Sequence, residues 1–326
     1  METGQFVISL DFELLWGVRD KKTISEYGEN IKGVHLVIPR LLSMFKNYNI
    51  RATFSVVGFL FFETKEDLTA NLPKNLPEYT NSNFSPYKGH FDLVGENYLV
   101  DLYHFAPLLI DEIKKYPEQE IGSHSFSHYY CLESGQTIRD FEDDLNSAIR
   151  LAKSKDINLT SFVFPRNQFN DYYLKVCSNL GIKCYRGNEQ SWLYEAKKGE
   201  HESLLRRALR LVDAYINISG HHCYEESYLK RKVPIDIPSS RFLRPFSKKL
   251  KLLENLRLNR IKSSMTYAAK NNLVYHLWWH PHNFGINQNE NFDFLEKILL
   301  HYSALNLKYK FQSTTMSKLA NELTYH

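Results

Sequence analysis

The sequence is poor in cysteine. Its four cysteines (Cys131, Cys177, Cys184, Cys223) form neither a Cys-x-x-Cys pair nor a tight framework. A disulfide scaffold is therefore not expected, and reduced thiols in a cytoplasmic protein are the simplest reading. Long hydrophobic runs are also lacking, so no transmembrane segment is expected. Met1-Glu2-Thr3-Gly4-Gln5 has no basic stretch, and the apolar run after it is interrupted by Asp11 and Glu13. That start does not read as a secretory signal. Neither sign of charge dominates: 41 basic against 37 acidic residues leave +4. With no dense Lys/Arg block, a nucleic-acid partner is not expected. Neither a G-x-G-x-x-G nor a G-x-x-x-x-G-K-[ST] stretch occurs, which removes support for a nucleotide-binding fold.

Aromatic residues, by contrast, are abundant: 21 Tyr, 21 Phe and 4 Trp. They supply a thick core, or in part a cleft that stacks on sugar rings. Hydrophobic residues at 43% indicate an ordinary globular chain. The length of 326 residues suits one or two domains. A single domain over 1–326 is expected, interrupted at about 64–104 by a Pro/Asn/Tyr-rich insertion without periodicity.

Short apolar runs alternate with helical patterns. Strands are expected at 6–10, 52–57, 120–123, 162–164, 182–185, 273–279 and 308–312. Helices are expected at 34–48, 105–115, 137–153, 170–180 and 291–304. The alternation predicts an α/β architecture with a mainly parallel sheet, either a barrel or an open doubly wound sheet.

Polar residues cluster where these strands end: Asp11 and Glu13, His124 and His128, Arg166, Asn188, and His280 with His282. Active sites of parallel α/β folds are assembled at that edge. Asp11 and Glu13 are two apart, so on a strand they share a face, which suits a metal ligand beside a general base. His124-Ser125-Phe126-Ser127-His128 places two imidazoles at i and i+4, one face of a helical turn, within reach of one cation. His276-Leu277-Trp278-Trp279-His280-Pro281-His282 holds three histidines. It offers a general acid, His280 or alternatively His282, or else a second ligand set. His221-His222-Cys223 reads as structural or as cleft rim, and His201, His301 and His326 as solvent-exposed.

Together and in order, these motifs resemble the polysaccharide deacetylase family, the carbohydrate esterases with a NodB homology domain. Ser9-Leu10-Asp11-Phe12-Glu13 resembles its first motif, usually Thr-Phe-Asp-Asp. His124 to His128 resembles its metal-binding histidine pair, and Leu277-Trp278-Trp279-His280 its terminal Leu-x-x-His. Pro165-Arg166-Asn167-Gln168 falls where Arg-x-Pro-Tyr is expected, with Pro before Arg instead of after it. The resemblance spans residues 6–282 and implies a distorted (β/α) barrel with a divalent metal, commonly zinc. It implies hydrolysis of an N-acetyl or O-acetyl group on a sugar, glycan or glycan precursor. In those terms Asp11 is the general base, His124 and His128 bind metal, His280 is the general acid and Arg166 holds the base carboxylate. Phe12 stands in place of the family's second aspartate, and Glu13 is expected to take over as the carboxylate ligand. An amidase or deformylase acting on a small or lipid-linked substrate, and a non-catalytic carbohydrate-binding relative, are the competing readings.

Overall fold

Every residue of the first strand, β1 (Gln5–Phe12), is buried, as expected of a parallel strand covered on both faces. Alternate side chains have different fates. Phe6, Ile8, Leu10 and Phe12 belong to the main core under the helices, whereas Val7 packs with Val163, Cys184, Ile235 and Val274 in a second cluster. The odd-numbered side chains thus point into a lumen and the even-numbered ones toward the helical shell.

The structure, a computed structural model, describes residues 1–194 and 204–324. The remaining strands are β2 (Ala52–Val56), β3 (Glu120–Ser123), β4 (Ser161–Phe162), β5 (Cys184–Tyr185), β6 (Ile235–Asp236), β7 (Arg241–Phe242), β8 (Val274–Trp279) and β9 (Gln312–Thr314). They form one sheet in the order β6-β5-β4-β3-β2-β1-β8-β7, with β9 beside the first half of β1. All ladders are parallel. The two edge strands are consecutive in the chain. The segment joining them bonds back to both sides, Ser239 N to Gly187 O at 2.9 Å and Ser240 N to His276 O at 2.8 Å. Residues 235–242 thus act as one bent strand that nearly closes the ring. The sheet is the curled, distorted (β/α) barrel, not the open doubly wound alternative.

Local chemistry sets the helices. Ile24–Asn47 starts ten residues earlier than its apolar pattern suggests because Thr23 and Glu26 form a capping box. It buries Ile31, Val34, Ile38, Leu41 and Phe45, the i, i+3, i+4 stripe of a helix lying on a sheet. Ile138–Ser154 has a second capping box, Thr137 with Asp140. Near the C-terminus the expectation fails in part. Gln288–Tyr309 is helical through the first two residues of the anticipated strand, and β9 begins only after Lys310 turns left-handed at φ 55°. A last helix, Met316–Thr324, had no sequence expectation. Its Met316, Leu319, Ala320 and Leu323 pack on Val7 and Val274 and plug the floor of the barrel. Between 64 and 104 the chain makes the short helix Lys65–Ala70 and isolated turns, pinned by a bridge between Thr64 and Asn97. No helix among the described residues is long and apolar enough to cross a membrane.

Candidate functional site

The lumen changes character with height. Val7 and Val274 are apolar near the floor. One level up, Ser9 Oγ and His276 Nε2 lie 2.9 Å apart, and His276 Nδ1 donates to Ile237 O at 3.1 Å. Burial pushes the His276 imidazole down to about 3. Asp11 stands above Ser9. Glu13 follows just beyond the strand, in a non-helical conformation that caps the turn Leu14–Gly17. The two carboxylates face one site as their spacing predicts, although only Asp11 is on the strand.

Asp11 is 3% exposed and is held by Arg186 in a two-pronged pair, Nη1 to Oδ1 at 2.6 Å and Nη2 to Oδ2 at 2.8 Å. Arg186 also donates to Ser9 Oγ and to Asn167 Oδ1, and its guanidinium lies 4.0 Å over the Trp278 ring. Burial alone would raise the Asp11 pKa. The charge and hydrogen bonds of Arg186, aided by His124 and His280, outweigh it and hold the carboxyl below its ordinary range.

Glu13 collects the histidines. Its Oε2 lies 3.2 Å from His124 Nε2 and 3.0 Å from His128 Nε2, and its Oε1 lies 3.0 Å from His282 Nε2. Burial opposes its ionisation, but His280, His124, His128 and His282 together hold its pKa well below the usual carboxylate value. His124 and His128 do converge, yet not on a helical turn. The segment is a loop after β3 in which Ser125 (φ 62°) and His128 (φ 59°) are both left-handed. Buried Asp144 fastens this loop by accepting from Phe126 N at 2.7 Å, Ser127 N at 3.1 Å and Ser127 Oγ. Those bonds replace a helix's own hydrogen bonds, which is why helical spacing is met without a helix.

The donor set fits a cation. Glu13, His124 and His128 offer ligand atoms close to one another, and so do Glu13, His280 and His282. His124 Nδ1 must donate to the Val163 carbonyl at 2.8 Å. Its Nε2 lone pair then faces a carboxylate oxygen, two acceptors that need a positive charge between them. Their separation is close to the roughly 3.3 Å between neighbouring ligand atoms of a tetrahedral site with bonds of about 2.0–2.1 Å. At His128, Arg19 Nη1 sits on Nδ1 at 3.2 Å. Ligation through Nε2 requires the hydrogen on Nδ1, with Arg19 then relying on the carbonyls of Trp16 and Phe84 that it already contacts at 2.6 Å. Burial pushes the His128 imidazole down to about 4, toward the neutral form a ligand requires.

His280 and His282 both reach the site. His282 is 4% exposed and wedged between Glu13 and the Tyr27 hydroxyl at 2.9 Å. His280 is 23% exposed, with Nε2 3.7 Å from Asp11 Oδ2 and 3.6 Å from Glu13 Oε1. Its Nδ1 lies 3.3 Å from Asn283 Oδ1. His280 is therefore the imidazole open to the mouth. Burial lowers its pKa, and the two carboxylates work against that.

Arg166 does not hold Asp11. Its backbone is left-handed (φ 55°), and its guanidinium stacks 3.9 Å over buried Tyr130 and pairs with Asp20 and Glu133. The arginine on Asp11 is Arg186, which follows β5 directly and had no sequence expectation. Asn188, next to it, donates to Asn167 O at 3.3 Å. His221 stacks on Tyr267, and His222 bonds Ser219, in keeping with the structural reading. His301 is half-buried against Thr266 and Lys262, not solvent-exposed. His201 and His326 lie outside the described residues.

Gly17 turns directly over Glu13, and a Cβ built there falls 1.9 Å from the Glu13 carboxyl carbon. Gly17→Ala must therefore displace Glu13. Cation affinity measured by titration calorimetry should fall at least about tenfold, the lower figure for disturbing a group that orients a ligand. Unchanged affinity would show that the site tolerates a moved carboxylate.

The sequence profile of the family described as polysaccharide deacetylase matches residues 29–185. That span holds His124, His128 and Arg166 but not Asp11, Glu13, Arg186, His280 or His282. No curated protein matches the chain. Among solved structures, a putative polysaccharide deacetylase from Mycobacterium smegmatis superposes at TM-score 0.62 and 13% identity, covering 100% of this chain and 92% of that one. A probable polysaccharide deacetylase from Pseudomonas aeruginosa PAO1 gives 0.55 at 9% identity, covering 99% and 91%. A GH57-type branching enzyme from Pyrococcus horikoshii gives 0.53 at 13% identity, covering 99% and 70%. At these identities the likeness is one of fold.

Proposed function

For this chain, a relative of the polysaccharide deacetylases, we propose a metal-dependent hydrolase that removes the N-acetyl or O-acetyl group of a sugar or glycan precursor. Residues 1–326 act as one catalytic unit in this reading, with 64–104 as its insertion. Glu13, His124 and His128 hold a divalent cation, read as zinc, and His282 steadies Glu13 from its other oxygen. Bound there, the cation supplies Lewis-acid polarisation of the acyl carbonyl and of water. Asp11, kept ionised by Arg186, takes the proton of the attacking water as the new carbon–oxygen bond forms. His280 gives a proton to the departing nitrogen or oxygen as the acyl bond breaks, and acetate leaves. The lumen walls fix both groups, so no side chain has to be ordered at the moment of reaction.

The single observation that carries this reading is the geometry around two buried carboxylates. One is neutralised by an arginine and stays an acceptor. The other, beside it, gathers three imidazoles, while a fourth remains open to the mouth. The test is release of acetate from a panel of N- and O-acetylated sugars by the metal-loaded protein and by Asp11→Asn. The substitution should lower turnover by about 10²–10⁴, the range for a lost general base, with cation content unchanged. Near-normal turnover in that variant would remove Asp11 from the role. Release of formate from formylated amines in place of acetate would make the enzyme a deformylase.

A further inference from the structure

The helix Leu204–Asp213 is built inside out. Its buried side carries charge: Arg206 donates through Nε to Leu193 O at 3.0 Å, and Asp213 accepts from Arg241 Nη1 at 2.6 Å. Its outer side is apolar. Leu205, Ala208 and Val212 stand at i, i+3 and i+7 and are all exposed, Leu205 to 70%. Ile216, on the turn that follows, is 58% exposed. Such a stripe normally faces a core.

A second apolar and basic stretch lies beside it. Arg260, on the helix Glu254–Lys270, lies 3.8 Å from Asp213 Oδ1 and donates to Gly220 O, which joins this turn to a stretch that also holds Arg244, Glu254 and Arg257. These residues flank the turn Lys248–Leu253 and the start of the helix Glu254–Lys270. There Leu252 is 88% and Leu256 47% exposed, interleaved with exposed Lys248, Lys249 and Lys251. Arg207 is exposed on the first helix, and Arg244 is half-buried between the two stretches. Among the described residues, Glu254 is engaged by Arg257 and Asp213 by Arg241. This surface also adjoins the mouth of the barrel. Five residues separate Lys248 from Phe242, whose ring lies 5.8 Å from that of His280.

We propose that this face docks on an anionic lipid surface, with Leu205, Val212, Ile216, Leu252 and Leu256 entering the headgroup region and the lysines and arginines over the lipid phosphates. Exposed leucines interleaved with lysines describe an element that lies in the interface. Lysine stems extend past apolar groups while their ammonium ends stay at the phosphates. A second copy of the chain is the weaker occupant, because a two-fold interface would press like charges together.

The test is co-sedimentation of the full chain with vesicles of mixed phosphatidylcholine and phosphatidylglycerol, and with vesicles of phosphatidylcholine alone. The protein should sediment with the anionic vesicles and be released by salt. Partition should weaken roughly fivefold for each cation removed, and on the order of a hundredfold in the triple variant Lys248→Gln, Lys249→Gln, Lys251→Gln. The pair Leu205→Ser and Leu252→Ser should weaken it independently, with hydrolysis of a soluble acetylated sugar unchanged in both variants. No binding to anionic vesicles, binding indifferent to both variants, or a solution dimer that the serine pair dissolves would each overturn the proposal. The last outcome would assign the face to self-association.

Discussion

Glu13→Gln should strip the protein of its cation. The side chain keeps its shape but loses the charge, and one oxygen becomes an NH₂ group. Whichever way the amide is turned, a donor replaces an acceptor either before His124 and His128 or before His282, all now within 3.2 Å of a carboxylate oxygen. A partner one bond removed from an ion changes affinity ten- to a hundredfold. Loss of the carboxylate itself should exceed about a hundredfold, with turnover falling in parallel. Metal analysis of the purified variant, with titration calorimetry against zinc, reads the effect directly. Glu13→Asp is the informative companion, because it keeps the charge and shortens the reach, and should recover part of the affinity. Stoichiometric metal in Glu13→Gln would move the ion away from Glu13.

The second large effect is expected at Arg186. Arg186→Met leaves the buried Asp11 carboxylate without its counter-charge, and breaking a buried pair of this kind destabilises a protein by about 3–5 kcal/mol. It also removes the group that holds the Asp11 pKa down, so burial becomes the leading influence and the pKa rises. The depressed pKa gives stability that is fully present above the ordinary aspartate value, 3.8. That stability is lost as pH falls through the depressed one. The variant forfeits it at neutral pH, and the acid limb of its pH–rate profile should move to higher pH. Urea unfolding reads the first effect and kcat against pH the second. Arg186→Met combined with Asp11→Asn should regain much of the lost stability but none of the activity. A double variant as unstable as the single one would show that Arg186 acts through packing on Trp278 and not through Asp11.

The residues of the site are readable where chemistry sits at strand ends. Asp11, Glu13, His124, His128, His280 and His282 all declared themselves by following apolar runs, and the structure gathers all six. Arg186 follows β5 in the same way but lies 175 residues from Asp11 in sequence. Pairing the two requires knowing that the ring brings β5 round to face β1. Arg166 carries the same signal and stands at the motif position besides. Its left-handed backbone, invisible in a single sequence, goes with a side chain laid on buried Tyr130 instead of on Asp11. The spacing of His124 and His128 was right for a wrong reason, since Asp144, sixteen residues beyond His128, shapes the loop. The floor helix does carry a signal, Met316, Leu319, Ala320 and Leu323 at i, i+3, i+4 and i+7, but its nine residues are fewer than the length at which such a pattern separates a helix from other structure.

The alternation along β1 works like a reading frame. Positions 9 and 11 carry chemistry while 8, 10 and 12 serve the shell, and Phe12 is wholly enclosed among apolar neighbours. A carboxylate at position 12 would sit in hydrocarbon, so in this chain the ligand has to appear one place later, beyond the strand. A single inserted or deleted residue between Ser9 and Asp11 would exchange hydrocarbon for carboxylate on both faces at once. Variation at this centre is thus confined to exchanges of side chain in place, and descendants that alter their chemistry should differ in letters along β1 but not in its length.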